Sequence, residues 1–146
     1  MAQIKLMVDK PRLAKYIQEL DTYLQHLEEL QKYPLQEFLS DWRISDLADR
    51  QLHITLEAFL TIGEMVISEL GFQKPDTYAD IPRILFENKV IGLELKEQLV
   101  DLARLRNVLV HDYIRLDHER VYQHVQKDTG VILEFVDAVK KFVAKK

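Results

Sequence analysis

The chain contains no cysteine and only four glycines and four prolines among its 146 residues. The missing thiols exclude a disulfide framework, a thiolate metal site and a cysteine nucleophile. So few helix-breaking residues predict long helices joined by few turns. No stretch approaches the ~20 apolar residues of a membrane-spanning helix, and the N-terminus lacks the apolar segment of a signal peptide. We therefore expect a single domain over residues 1–146, in a reducing cytoplasm.

Positive charge is also scarce, since 20 Lys and Arg residues stand against 24 Asp and Glu residues and the net charge is −4. A nonspecific nucleic-acid binder gains its affinity mainly from many Lys and Arg contacts to phosphate. The acidic balance argues against that class, but it permits an enzyme that holds one or two phosphates in a local basic cleft. No P-loop, GxGxxG or GxSxG motif is present, so nucleotide hydrolysis and serine chemistry have no support.

Apolar residues recur at helical spacing along most of the chain, which predicts an all-α protein. We expect an up-and-down antiparallel bundle of four to five helices, with Gly71 stopping the longest one. The predicted elements, in chain order, are a helix from near Asp9 to before Pro34, a connection over 35–40, a helix over about 41–70, a short helix over 78–88, a helix from about Glu94 and a last helix from about His118 to the C-terminus.

The octet RNVLVHDY, residues 106–113, closes the helix that begins near Glu94 and carries the side chains best suited to chemistry. Asn107 and His111 are four residues apart and share one helix face. Asp101 and Arg104 extend the same face toward the N-terminus of the helix. The spacing therefore predicts a polar stripe along one side of this helix.

Arg106 lies off that stripe, at an apolar position in line with Leu99, Leu102 and Leu109. An arginine on such a face must be paired or must reach water. Arg106 and His111 are five residues apart, which is about 140° around an ideal helix. The two side chains can meet at one phosphate only if they wrap around the helix, if the helix loosens, or if a second copy packs across a two-fold axis.

RNA can be cleaved without a metal ion by a base for the 2′-OH, an acid for the leaving 5′-oxygen and positive charge for the phosphate. Histidine titrates near neutral pH and serves as base or acid, and arginine grips phosphate oxygens with two N–H groups. One chain offers one such histidine, His111, whereas a symmetric dimer would bring two copies of His111 and Arg106 into one cleft. These residues favour RNA cleavage, with the 2′-OH as the nucleophile.

The octet is similar to the Arg-x4-His-x-Tyr motif of the HEPN superfamily, specifically of its HepT-like branch. The segment DRQLHITLEA (49–58) resembles the long second helix of that branch. LGFQKPDTYADIPRILFENKVI (70–91) resembles its helix-loop-helix link, and HERVYQHVQKD (118–128) resembles the start of its last helix. The resemblance covers most of residues 10–142 and implies a dimeric bundle of HEPN type.

The resemblance also implies a function, that of a type VII toxin: a metal-independent endoribonuclease without a cofactor, whose composite site lies at the dimer interface. Arg106 and His111 would be the catalytic pair, and Asn107 and Arg104 would support them, with Asn107 orienting His111. Tyr113 would be adenylylated by an MntA-like minimal nucleotidyltransferase antitoxin. The added AMP groups would block RNA by their bulk and their negative charge.

Plainer interpretations of the same residues remain open. Arg106 could form a structural salt bridge with Glu57 or Asp101, His111 could interact with the helix dipole as a C-cap, and Tyr113 could be an ordinary amphipathic tyrosine. Helices of the family often carry Asp three or four residues after the glutamate that corresponds to Glu57, whereas this chain has Thr61 near that position. The chain could therefore be a non-catalytic HEPN binding module that partners a minimal nucleotidyltransferase.

The remaining histidines offer weaker signals. His53 and Glu57 are four residues apart, but no third ligand is evident, so we predict no metal site there. His118 and His124 are six residues apart and lie off one another's helix face, so we expect both of them to be solvated.

Overall fold

The computed structural model describes residues 7–112, 114 and 116–145. This part of the chain folds into helices and contains no β-strand, which confirms the all-α prediction. Tyr113 lies outside the described residues. The helices are α1 (Lys10–Leu30), α2 (Leu35–Ser40), α3 (Trp42–Glu69), α4 (Asp80–Glu87), α5 (Leu93–His111) and α6 (His118–Ala144).

The six helices in the described ranges exceed the four to five that we expected, because residues 35–40 form α2 rather than a plain connection. Pro34 precedes this helix in extended conformation, and Phe38 anchors it with a fully buried ring. Six residues make fewer than two turns, so they contain no repeating apolar stripe from which a helix could be predicted.

Aspartates begin three of the long helices. The side chain of Asp9 accepts a hydrogen bond from a backbone N–H of the first turn of α1 at 3.1 Å. Asp41 does the same for α3 at 3.0 Å, and Asp117 for α6 at 3.1 Å. Each bond satisfies a donor that the helix itself cannot pair. These caps explain why the predicted starts of all three helices agree with the structure.

The helix α3 is the centre of the bundle, since it packs against each of the other five. It lies close to α4 at Gly63, where a Cβ atom would lie 2.5 Å from Cγ2 of Ile81. Phe59 of α3 meets Phe135 of α6 edge-on, with ring centres 5.4 Å apart, and both rings are fully buried. The side chains that α3 presents therefore have fixed positions relative to α4, α5 and α6.

None of the helices within the described ranges combines the length and the apolar character needed to cross a bilayer.

Candidate active site

The predicted polar stripe lies on the surface of α5. Asp101, Arg104, Asn107 and His111 are all exposed. Arg104 forms an ion pair with Asp101, with 3.6 Å between the nitrogen and the oxygen. Exposed pairs of this kind are weak, so Arg104 can exchange Asp101 for another anion at little cost.

Arg106 points the other way, into the bundle, and only 12% of its side chain is exposed. Its Nε donates a hydrogen bond to Oε1 of Glu57 on α3, at 2.5 Å. Of the two salt-bridge partners suggested by the sequence, the structure selects Glu57 over Asp101. The charge is therefore paired within the chain. The side chain is still partly exposed to solvent, whereas the purely structural interpretation requires full burial.

Two further contacts hold the guanidinium group of Arg106. Its central carbon lies 4.3 Å from the ring centre of Tyr78, which is within cation–π range. Its Nη1 donates to Oδ1 of Asn107 at 3.2 Å. The arginine is thus fixed by α3, by the residues before α4 and by its own neighbour on α5.

These contacts leave part of the guanidinium group available. Arginine has five N–H donors. Glu57 takes the one on Nε and Asn107 takes one on Nη1. Within the described part of the chain no acceptor engages the other three, one on Nη1 and two on Nη2. The free edge suits a phosphate group, which arginine grips with two parallel N–H bonds.

Glu57 receives a second hydrogen bond from its own helix. Nε2 of His53 lies 3.2 Å from the same Oε1 atom that binds Arg106. An ionised carboxylate only accepts hydrogen bonds, so Nε2 of His53 carries the proton in this contact. His53 and Glu57 therefore form the outer part of a hydrogen-bond network that ends at Arg106.

His111 is the last residue of α5, and it is exposed. The helix ends there because Asp112 leaves helical geometry after its N–H bonds to the carbonyl of Val108 at 2.9 Å. The structure shows no hydrogen bond from His111 to Arg106 or to Asn107, although all three residues are described. Asn107, which we expected to orient His111, contacts Arg106 instead. Arg106 is mostly buried and His111 is exposed, and the two residues are five positions apart on α5.

The expectation that His118 and His124 are both solvated was wrong for His124, whereas His118 is partly exposed but paired. His124 is buried, with its Nδ1 2.9 Å from a carboxylate oxygen of Asp128, which is itself buried. Nε2 of His118, the first residue of α6, lies 2.9 Å from Oδ2 of Asp49 on α3. A spacing of six residues shows only that the two rings do not meet; it does not reveal the acidic partner that each one finds.

Asp49, His118 and Asp46 form the one group of three potential metal ligands within the described ranges, with ligand atoms within 4.8 Å of one another. Burial raises the pKa of Asp49, against the opposing effect of its hydrogen bond with His118. Its Oδ1 atom is buried without a hydrogen-bond partner. The Asp49–His118 pair already joins two of the three ligands, and exposed clusters of this type commonly form without an ion.

The sequence pointed to Arg106 but not to all of its neighbours. Glu57 was predicted only as a possible salt-bridge partner, and His53 only as a poor metal ligand. Tyr78 carried no signal, because it precedes α4 without any helical register relative to α5. Thr61, where a family aspartate was expected nearby, is exposed.

The chain is similar in sequence to known ribonucleases. Residues 20–139 match the family described as ribonuclease HepT-like. The chain is 27% identical over 103 residues to the tRNA nuclease HepT of Aphanizomenon flos-aquae, covering 70% of each chain.

Solved structures share the fold. The tri-AMPylated HEPN toxin of Shewanella oneidensis, in complex with its MNT antitoxin, superposes with a TM-score of 0.81 at 23% identity, covering 88% of this chain and 96% of that one. The cytosolic protein YutE of Bacillus subtilis superposes with a TM-score of 0.79 at 21% identity, covering 96% and 94%. The family match spans most of the described helices, including α5 with Arg106 and His111, so the chain belongs to the HepT-like ribonuclease family.

Proposed function

We propose that the protein is a metal-independent endoribonuclease, the toxin of a toxin–antitoxin pair, and that it acts as a homodimer. The observation that carries this proposal is the state of Arg106. Its guanidinium group is held from three directions and still keeps three N–H donors unused by the described residues. Its relative in Aphanizomenon flos-aquae is a tRNA nuclease, which supports RNA as the substrate class.

The different positions of Arg106 and His111 support a composite site formed by two subunits. Arg106 is anchored inside one subunit, whereas His111 is exposed at the end of α5. In a symmetric dimer, His111 of one copy would remove the proton of the 2′-OH as that oxygen attacks phosphorus. His111 of the other copy would protonate the 5′-oxygen as its bond to phosphorus breaks. Both copies of Arg106 would hold the non-bridging oxygens, and the products would be a 2′,3′-cyclic phosphate and a free 5′-OH.

Control of the site is assigned to Tyr113, which follows His111 by two residues. We propose that an MntA-like minimal nucleotidyltransferase adenylylates it: the phenol oxygen attacks the α-phosphorus of ATP, and pyrophosphate leaves. The phosphates added beside His111 would repel RNA. The AMPylated state and the MNT antitoxin of the Shewanella oneidensis toxin support this assignment. The cytosolic description of YutE supports a cytoplasmic location.

A second candidate is a HEPN module that binds a nucleotidyltransferase without cutting RNA. The observation in its favour is the ion pair between Arg106 and Glu57, which offsets the positive charge that a phosphate would need. The acidic net charge of −4 agrees with it. In that case the exposed stripe on α5 would serve as a protein contact.

The test uses the purified protein with RNA in buffer containing EDTA. Wild-type protein should cleave the RNA, and Arg106→Ala and His111→Ala should each lower the rate at least ~100-fold, which is the scale of acid–base and electrostatic catalysis. Arg12→Ala is the matched control, because Arg12 is exposed and lies near Glu69, about 18 Å along α3 from Glu57. If wild-type protein leaves RNA intact yet binds the nucleotidyltransferase tightly, the module is the correct function.

A further inference from the structure

Glu57 binds the arginine that we assign to catalysis, and it does so in a way that restricts the direction of the guanidinium group. It contacts Nε and not the two terminal nitrogens. A carboxylate that fully neutralised Arg106 would take two parallel bonds and would occupy a binding edge. The single bond to Nε instead leaves the Nη1 and Nη2 edge for another anion.

Tyr78 restricts the remaining freedom. The guanidinium carbon of Arg106 lies over its ring, 4.3 Å from the ring centre. The bond at Nε and the contact with the ring hold the guanidinium group at two places, so together they restrict the directions in which its free donors can point. Arg106 is then oriented before any substrate arrives, which avoids the loss of side-chain entropy at the moment of binding.

The other partner of Glu57 reinforces this arrangement. His53 donates to the same Oε1 atom at 3.2 Å and lies one helical turn before Glu57 on α3. The carboxylate is therefore held by its own helix while it holds Arg106 on α5. The carboxylate of Glu57 also places a negative charge near the expected position of the phosphate. If Glu57 positions Arg106, its removal should slow RNA cleavage; if its charge inhibits, removal should speed cleavage.

We propose that Glu57 and Tyr78 are positioning residues for Arg106, which present its Nη1 and Nη2 edge to the scissile phosphate. This inference rests on the proposed ribonuclease function. It names two residues outside the octet, contributed by α3 and by the segment before α4, on which the rate of RNA cleavage depends. Neither touches the substrate, since both act through the guanidinium group.

The test compares Glu57→Ala with Glu57→Gln. Glutamine keeps an oxygen acceptor of the same length but removes the charge, whereas alanine removes both. Glu57 borders an open groove and is one-third exposed, so neither variant creates a closed void. We expect Glu57→Ala to lower kcat at least tenfold and Glu57→Gln to remain within threefold of wild type. Glu28→Ala and Glu28→Gln, on the exposed face of α1, are the matched controls for loss of an acidic charge.

A second measurement does not depend on cleavage. In ¹⁵N-labelled protein, the Nε–H signal of Arg106 is assigned by its absence in Arg106→Ala. Exchange of this proton with water should be slow in wild type and in Glu57→Gln, and fast in Glu57→Ala. This readout also shows whether the alanine variant is folded, because the backbone amide spectrum is recorded in the same experiment.

The possible results separate the two proposals. If wild type does not cut RNA, the proposed function fails, whatever the Nε–H signal shows. If wild type cuts RNA and Glu57→Ala cuts as fast or faster, only the positioning role fails, and Glu57 is an inhibitory charge. If Glu57→Gln is as slow as Glu57→Ala, the charge and not the bond to Nε is what matters, which also overturns the inference.

Discussion

The guanidinium carbon of Arg106 lies 4.3 Å from the ring centre of Tyr78, a residue 28 positions earlier in the chain. The contact joins α5 to the segment that leads into α4, and those two helices also pack against each other. It places an aromatic face beside a charge that is mostly withdrawn from water. Cation–π contacts stabilise by about 0.5–1 kcal/mol at exposed sites and by about 2 kcal/mol when they are desolvated.

Two substitutions of Tyr78 distinguish the contribution of its aromatic ring from that of its hydroxyl group. Tyr78→Phe keeps the aromatic face, so RNA cleavage should be unchanged within about twofold. Tyr78→Leu removes it, and losing about 1–2 kcal/mol of orientation should lower kcat/KM by roughly 5- to 30-fold. The two variants are compared by initial rates and by thermal unfolding. Equal rates in Phe and Leu variants of equal stability would show that the ring only fills space.

Substitution by alanine should change the free energy of unfolding in opposite directions at Gly63, where α3 lies close to α4, and at Gly130, where the space around the helix is open. Gly63→Ala places its Cβ 2.5 Å from Cγ2 of Ile81, so either the Ile81 side chain or the helices must shift, and the free energy of unfolding should fall by about 1–3 kcal/mol. Gly130→Ala, in α6, meets nothing within 4 Å. It should raise the free energy of unfolding by up to about 1 kcal/mol, because alanine is the better helix former.

Both glycine variants are measured by urea unfolding. Ile81→Leu removes the methyl branch that Gly63→Ala would strike, so the double variant should lose less stability than the two single effects added together. A strictly additive result would place the strain somewhere other than the Gly63–Ile81 contact.

Asp49 predicts a pH dependence of stability. Burial raises its pKa above the ordinary 3.8, and the hydrogen bond and charge of His118 only partly oppose this effect. The folded state thus holds the proton to higher pH than the unfolded state does. Ionisation of Asp49 should therefore reduce stability as pH rises from 3.8 through the raised pKa, and the loss persists above it.

Asp49→Asn removes this cost while keeping an oxygen that His118 can reach. Its stability relative to wild type should increase between about pH 4 and about pH 7, measured by denaturant unfolding at each pH. His118→Ala is the companion variant: it removes the partner that offsets burial, so it should be less stable than wild type at about pH 7. An Asn variant that loses stability relative to wild type over the same interval would contradict the burial argument.

Tyr113 predicts a chemical modification. After incubation of the protein with its nucleotidyltransferase partner, ATP and Mg²⁺, mass spectrometry should find AMP on Tyr113, and RNA cleavage should stop. Tyr113→Phe should gain no AMP at this position and should keep cutting RNA in the presence of the partner. An unmodified Tyr113 alongside an inhibited enzyme would mean that the partner inhibits by binding alone.

The helices could be predicted because their signals are local. Asp9 caps a helix within its own first turn, and the regular apolar spacing of α6 outweighed Gly130, which lies within the helix. Helix α2 lacked such a signal, because a single buried residue, Phe38, fixes it through tertiary packing.

The site was predictable only in part, for a related reason. An arginine at a position otherwise occupied by leucines predicted that Arg106 needs a partner, and the spacing of five residues indicated that Arg106 and His111 are poor neighbours on one helix. The packing of α3, α4 and α5 determines which carboxylate and which aromatic ring contact Arg106. No short segment of the sequence predicts that packing. The buried pair of His124 and Asp128 was missed although it is local, because many i,i+4 pairs occur on exposed faces.

The anchoring of Arg106 has a consequence for the order in which the molecule matures. Its three holding groups come from α3, from the segment before α4 and from α5 itself, so no fragment that ends before α5 has packed can orient the guanidinium group. In a nascent or partly unfolded chain, Arg106 is present but its guanidinium group is not oriented. Under the proposed toxin function, RNA cleavage should thus begin only once the bundle is complete, and an antitoxin made at the same time would have that interval in which to act.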